Sequence, residues 1–357
     1  MDALLIGATR GGDAAEVAAL ARAGADVNAP CSSGSGATPL LVACQEGFAD
    51  IAATLLDAGA MSDINLAHPD GRTPLMIACH YGHAEVVDTL LAAGASVGAI
   101  SGSTPLHVAC TPAPTSQSAS SVPTRAHESV DDLKPCTQDA RPSSPSAASD
   151  DRGRMEIAAK ILAAGAPVDC ADDDEITPMF AACQYGHLAC VRLLSSYGAS
   201  RSFFEDEPDE ADAAEPLARR LGHTAVVSWL EASRTWTTPL HHLGDDVVGA
   251  ARARALLRDG ADLHAAASPA DPTPLSIAKA LHAQGKAPEG SAAHLVLAAS
   301  RPWSCDTDEL FPPAARTRAK ALTRIGQQLS RQRRFSGEEG TMLDLWMGLV
   351  MPHAIKR

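Results

Sequence analysis

Thr73 to Ala95 reads TPLMIACHYGHAEVVDTLLAAGA, and its reading decides the fold. Thr73 suits a helix N-cap because its hydroxyl can accept a hydrogen bond from a free amide of the first turn. Pro74 follows at the first helical position, where its missing N–H costs nothing. Leu75, Ala78 and Cys79 then fall on one face of a short helix, and Gly82 ends it. His83 opens a second helix whose inner face carries Val87, Leu90 and Leu91, and Gly94 closes it in the left-handed conformation. Helices this short are marginal alone in water, so their joint apolar face needs neighbours.

The chain supplies them by repetition. Thr-Pro-Leu recurs at Thr38, Thr104, Thr238 and Thr273, with Thr177-Pro178-Met179 as a variant. Registering on the start and on the two glycines gives repeats that begin at Ala3, Thr38, Thr73, Thr104, Thr177, Ala213, Thr238 and Thr273. This pattern resembles the ankyrin repeat, a helix–turn–helix plus β-turn unit of about 33 residues. The resemblance covers residues 3 to about 285 and implies an all-α ankyrin solenoid. It also implies a protein partner held in a groove of inner helices and fingers, the β-turn hairpins between repeats.

The repeats are interrupted. Thr104 and Thr177 are 73 residues apart against a period of about 33, so about 40 residues sit in the tight turn of the fourth repeat. That segment, residues 111–152, is rich in Ser and Pro and lacks apolar periodicity, which predicts disorder. Residues 1–110 then hold repeats one to three and the first helix of the fourth, and residues 153–300 the remainder. The repeat at 213–237 lacks its Thr-Pro pair and room for a finger, and the eighth loses register after Ala278. Residues 301–357 read as a helical cap with helices at 313–334 and 338–350.

Composition excludes several classes. The net charge of -14 argues against nucleic-acid binding. No apolar run approaches the length of a membrane span, and the N-terminus lacks signal-peptide character. Cys44, Cys79, Cys110 and Cys183 occupy one repeat position, which predicts buried free thiols and a reducing compartment, cytoplasmic or nuclear. No nucleophile elbow, P-loop, zincin or dinucleotide motif occurs, so no enzyme and no cofactor is expected. His83, His187 and His223 recur behind the inter-helix glycine, which predicts structural work rather than a metal site. His107 and His241 match the fourth position of the family's TPLH motif, where the resemblance implies bonds that brace the turn.

Candidate sites lie on the fingers and the tail. One finger carries Asp169, Asp172, Asp173, Asp174 and Glu175; the next carries Phe203, Phe204, Glu205, Asp206, Glu207, Asp209, Glu210 and Asp212. Neighbouring fingers would join these carboxylates into one negative rim, with the two Phe as anchors for a basic partner segment. In the tail, Arg316 to Phe335 is basic, and Leu322, Ile325, Leu329 and Phe335 have the spacing of a calmodulin-target helix. Arg333-Arg334-Phe335-Ser336 fits a basophilic kinase site, and Asn28 resembles the asparagine that hydroxylases modify in ankyrin repeats. The reading is a monomeric, non-catalytic scaffold or adaptor for a protein partner. The alternatives are a calmodulin-linked or phosphorylation-regulated subunit acting through 316–335, and a nuclear transcription or ubiquitin-ligase adaptor.

Overall fold

The computed structural model describes residues 1–31, 36–60, 64–69, 71–99, 102–111, 145–202, 214–245, 247–301, 303–330 and 346–351. They are helical, with no β-strand among the described residues. The chain forms two compact bodies, Met1–Glu231 and Ala232–Arg357.

The first body consists of six helix pairs: α1 (Asp2–Gly11) and α2 (Ala14–Arg22), α3 (Pro39–Glu46) and α4 (Ala49–Asp57), α5 (Pro74–Tyr81) and α6 (Ala84–Ala92), α7 (Pro105–Cys110) and α8 (Pro145–Ala163), α9 (Pro178–Tyr185) and α10 (Leu188–Ser196), α11 (Ala214–Arg220) and α12 (Thr224–Ala232). First helices pack on first helices from α1 to α11, and second helices on second helices from α2 to α10. The two resulting layers enclose a core of aliphatic residues, alanines and cysteines. Leu40, Leu55, Leu75, Leu90, Leu106, Ile161 and Leu194 are all at most 1% exposed. In α6 the buried face is Val86, Val87 and Leu90, whereas Leu91, expected inside, is half-buried. Cys44, Cys79, Cys110 and Cys183 are buried free thiols stacked along this core. Desolvation raises the pKa of Cys183 to about 12 and holds Cys44 and Cys79 higher still, so these thiols behave as small apolar groups.

The capping predicted at Thr73 is repeated. Thr38, Thr73, Thr104, Thr177 and Thr273 each accept a hydrogen bond from the backbone N–H three residues on, at 3.1–3.4 Å. Between the helices sits a left-handed glycine that also makes room for the next repeat. A Cβ on Gly47, at φ 83°, would lie 2.6 Å from the His83 ring, and one on Gly186, at φ 74°, would lie 2.5 Å from the His223 ring. His83 Nε2 is thereby placed 2.9 Å from the Gln45 carbonyl, and His223 Nε2 2.9 Å from that of Gln184. Both contacts join consecutive repeats. Phe48 fills the same place against Gly12.

The interrupted fourth repeat departs from expectation at one end. Residues 112–144 lie outside the described residues, but 145–152, read as disordered, are helical and extend α8 toward the N-terminus. Asp151 is the physical reason. Its carboxylate accepts the Ala189 N–H at 3.1 Å, capping α10 of the next repeat, and lies 3.5 Å from His187 Nδ1. Lys160 further ties α8 to α6 through Asp88 at 2.6 Å.

The second body holds a 3-10 helix (Pro239–Gly244) with α13 (Ala250–Arg258), then α14 (Pro274–Ala283) with α15 (Ala292–Ala299). The eighth repeat is therefore a full helix pair whose connection is lengthened. A second 3-10 helix (Cys305–Leu310), α16 (Pro313–Ser330) and a π-helical turn (Trp346–Val350) follow. Ala315, Ala319 and Leu322 of α16 turn inward with Trp303 and Phe311. Gly326 weakens α16 as a helix but admits Trp346, whose indole lies where a Cβ would be and donates to the Leu322 carbonyl at 3.0 Å.

Two stability outcomes follow from these junctions. Gly47→Ala and Gly82→Ala share the backbone cost of a left-handed alanine, about 1–2 kcal/mol, but only Gly47→Ala meets a ring. The first should cost at least about 1 kcal/mol more by denaturant unfolding, and the excess should vanish in a His83→Ala background. Asp151→Ala should cost about 1–2 kcal/mol, as loss of a helix cap does, in the same measurement.

Candidate partner-binding groove and finger edge

Fingers close by short backbone bonds. The His68 N–H donates to the Arg72 carbonyl at 2.8 Å, and the Asp172 N–H donates to that of Ile176 at 3.0 Å. Both are the same turn, and its fourth residue is left-handed: Gly71 at φ 87° in one, Glu175 at φ 61° in the other. Gly102 holds that place, two residues before Thr104, at φ 82°. Glu175 is the one non-glycine residue with positive φ among the described residues. An L-residue there costs about 1–2 kcal/mol.

That turn displays the acidic residues singled out from sequence. Asp172 is committed internally, its Oδ1 accepting from the Asp174 and Ile176 N–H groups at 3.1 and 2.8 Å. The Asp173 N–H donates to the Gly102 carbonyl of the preceding finger at 2.9 Å. Asp173, Asp174 and Glu175 are exposed. Asp169 braces the frame instead, accepting the Ser200 N–H at 2.9 Å, as Asn65 accepts that of Ser96 at 2.8 Å. Phe203, Phe204, Glu205, Asp206, Glu207, Asp209, Glu210 and Asp212 lie outside the described residues, as does Ser336.

Beside the fingers, first-helix residues line a shallow cleft between the second and third repeats. Leu41 and Ile77 form its floor, Gln45 and Tyr81 its helical wall, and His68 and Arg72 its finger wall. Sequence reasoning missed this cleft, because its polar wall comes from finger residues that do not recur in register.

The histidines do frame work. His107 Nδ1 lies 2.9 Å from Thr104 Oγ1, and its Nε2 lies 2.5 Å from the Ile176 carbonyl just before the next repeat. His241 repeats this arrangement with Thr238 at 3.0 Å and the Pro272 carbonyl at 3.1 Å. In each case the ring bridges the threonine at the start of its own repeat and the carbonyl just before the next. No group of three or more His, Cys, Asp or Glu suited to a metal occurs among the described residues. In the tail helix, Arg316 pairs with Asp308 at 3.1 Å and Leu322 packs inward, while Ile325 is exposed. The Leu329 side chain and Phe335 lie outside the described residues. Asn28 is half-buried, and its N–H donates to Asp26 Oδ1 at 2.9 Å. No described helix is long and apolar enough to cross a membrane.

Stacked helix pairs with fingers along one edge define a helical-repeat binding module. Family comparison agrees: a model for ankyrin repeats in three copies matches residues 4–101 and 60–113, and one for ankyrin repeats in many copies matches residues 145–194. Residues 4–113 and 145–194 therefore match ankyrin repeats, a repeat type that serves protein–protein interaction. The crystal structure of the human ASB11 ankyrin repeat domain is similar at 22% identity and a TM-score of 0.46, over 84% of this chain and 99% of that one. No curated protein matches.

Burial lowers the pKa of His107 below its ordinary 6.5, against smaller opposing effects of the Ile176 carbonyl and Asp172. The unfolded ring therefore takes up a proton at higher pH than the folded one. The stabilisation is full above about pH 6.5 and is lost as pH falls through the folded value. Thermal melts from about pH 7.5 to about pH 5 should show falling stability, with a shallower decline in His107→Gln.

Proposed function

We propose that the first body is a non-catalytic scaffold that holds a protein partner along its groove, with the Asp172–Glu175 finger receiving a basic segment of that partner. The observation that carries this reading is Glu175. A turn that elsewhere uses glycine here holds a carboxylate at φ 61°, beside the exposed Asp173 and Asp174. The backbone cost is borne in order to display charge, the pattern expected where a surface serves recognition rather than stability. Sequence continues the acidic character into Glu205, Asp206 and Glu207 beside Phe203 and Phe204, a pairing of charge for steering and aromatics for anchorage. Buried free thiols at one repeat position suit a reducing compartment, the cytosol or nucleus.

The test is binding of a fluorescent Arg/Lys-rich peptide to the full chain and to a variant carrying Asp173→Asn, Asp174→Asn and Glu175→Gln. The variant should bind about tenfold more weakly at low salt, and the difference should shrink at high salt. Equal affinity would remove the finger from recognition. Glu175→Gly should weaken binding while leaving stability unchanged or up to about 1 kcal/mol higher.

A further inference from the structure

Helix α16 carries Arg316, Arg318, Lys320 and Arg324 and no acidic residue, in a chain of net charge -14. Helical spacing sorts its residues into two faces. Ala315, Ala319 and Leu322 pack into the second body. On the opposite face Arg318, Lys320, Ala321, Arg324, Ile325 and Gln328 are exposed. Arg324, Ala321 and Gln328 run along the middle of that face, with Lys320 on one flank and Arg318 and Ile325 on the other.

Packing of the helix does not account for this outer face. Arg316, at its edge, pairs with Asp308 at 3.1 Å, but Arg318, Lys320 and Arg324 have no ion pair among the described residues. Lys320 and Arg324 stand four residues apart, where like charges repel and weaken a helix. Beside them Ile325 leaves an apolar side chain 43% exposed. Unpaired cations around an exposed aliphatic group cost the helix something and return nothing to its own packing, the pattern of a surface kept for recognition.

We propose that this outer face of α16 is a docking site for an acidic peptide segment of a protein partner, with carboxylates meeting Arg318, Lys320 and Arg324 and an apolar side chain covering Ile325. Charge complementarity argues for that occupant, since the planar fork of Arg matches a carboxylate bidentately and an apolar neighbour shields the contact from water. A peptide suits the face better than an extended anionic surface such as a membrane, because its contact is confined to a few helical turns. A wide anionic surface would also meet the repulsive field of a chain at net charge -14. A segment laid along the outer face leaves α16 in place. A partner that enclosed the helix would have to free Leu322, which packs inward and whose carbonyl accepts from the Trp346 indole at 3.0 Å. The site belongs to the second body and does not rest on the groove and finger reading of the first.

The experiment offers the full chain to a library of random peptides of about twelve residues, long enough to follow α16 for several turns. The enriched peptides should include a set rich in Asp and Glu around an apolar residue. That set should bind at least about tenfold more weakly at low salt to a variant carrying Arg318→Gln, Lys320→Gln and Arg324→Gln, and the difference should shrink at high salt. Ile325→Asp should weaken it as well. The variant with Asp173→Asn, Asp174→Asn and Glu175→Gln should bind the set undiminished, which separates this site from the finger. Arg318→Glu, Lys320→Glu and Arg324→Glu together should abolish the acidic set and enrich basic peptides that the parent chain does not hold, a readout that a folding defect would not produce. Acidic peptides that bind the neutralised variant as well as the parent chain, or enrichment of no acidic set, would overturn the docking site. Binding to phosphatidylserine–phosphatidylcholine vesicles that is lost in the neutralised variant, with no acidic set enriched, would overturn it in favour of a lipid surface.

Discussion

Each repeat of the first body is completed by the next one, and the rest of the structure depends on that. The His83 ring occupies the space that a side chain on Gly47 would need, and it bonds the Gln45 carbonyl left open at the end of α3. His223 does the same against Gly186 and Gln184, and His107 reaches across to Ile176 at the foot of the following finger. The groups satisfied are those a short helix cannot satisfy itself: its last carbonyls and the entry of its finger. No pair of eight- or nine-residue helices is stable alone, so these junctions turn a row of marginal units into one cooperative stack.

The fourth repeat shows what happens when a junction is broken. A ring in the position of His187 would bond the carbonyl at the end of the preceding first helix, but α7 stops at Cys110 where the inserted segment begins. Asp151 takes over. It faces His187 and caps α10, arriving from a helix of 19 residues where α6 has 9, an extension of nearly three turns. The stack therefore accommodates a long insertion at its tight turn because the returning chain brings its own tie to the next repeat, the Asp151 cap on α10. Long loop closure adds only a slowly growing entropic cost, so the junction, not the loop length, sets the structural requirement.

Much of this frame was legible in the sequence because it is made of residues that recur: the capping threonines, the left-handed glycines and the buried cysteines all serve local geometry. Three features were not. Asp151 stands in a Ser/Pro-rich run, and nothing local to it announces a partner 38 residues away. The second helix of the eighth repeat, Ala292–Ala299, was obscured because its connection is longer than a tight turn, which removes the glycine that marks register. Gly326 reads as a helix breaker until Trp346 is seen lying against it. In each case the deciding contact is long-range and occurs once, so periodicity cannot reveal it.

The same contrast separates frame from recognition. Threonine, proline and glycine repeat because every repeat needs the same cap and the same turn. The fourth position of each Thr-Pro-Leu start instead changes, from Leu41 to Met76, His107, Phe180 and Ser276. Leu41 and Phe180 line recesses beside the fingers, whereas His107 is drawn into the frame by Ile176. The finger turn behaves likewise, with glycine at Gly71 and Gly102 and a strained carboxylate at Glu175. Positions that neither the cap nor the turn dictates are where one repeat can differ chemically from the next. A recess lined by His68 and Arg72 at the second and third repeats and an acidic finger between the fourth and fifth therefore coexist on one frame. Under the proposed function, a partner extended across several repeats would read the order of these unlike positions along the chain.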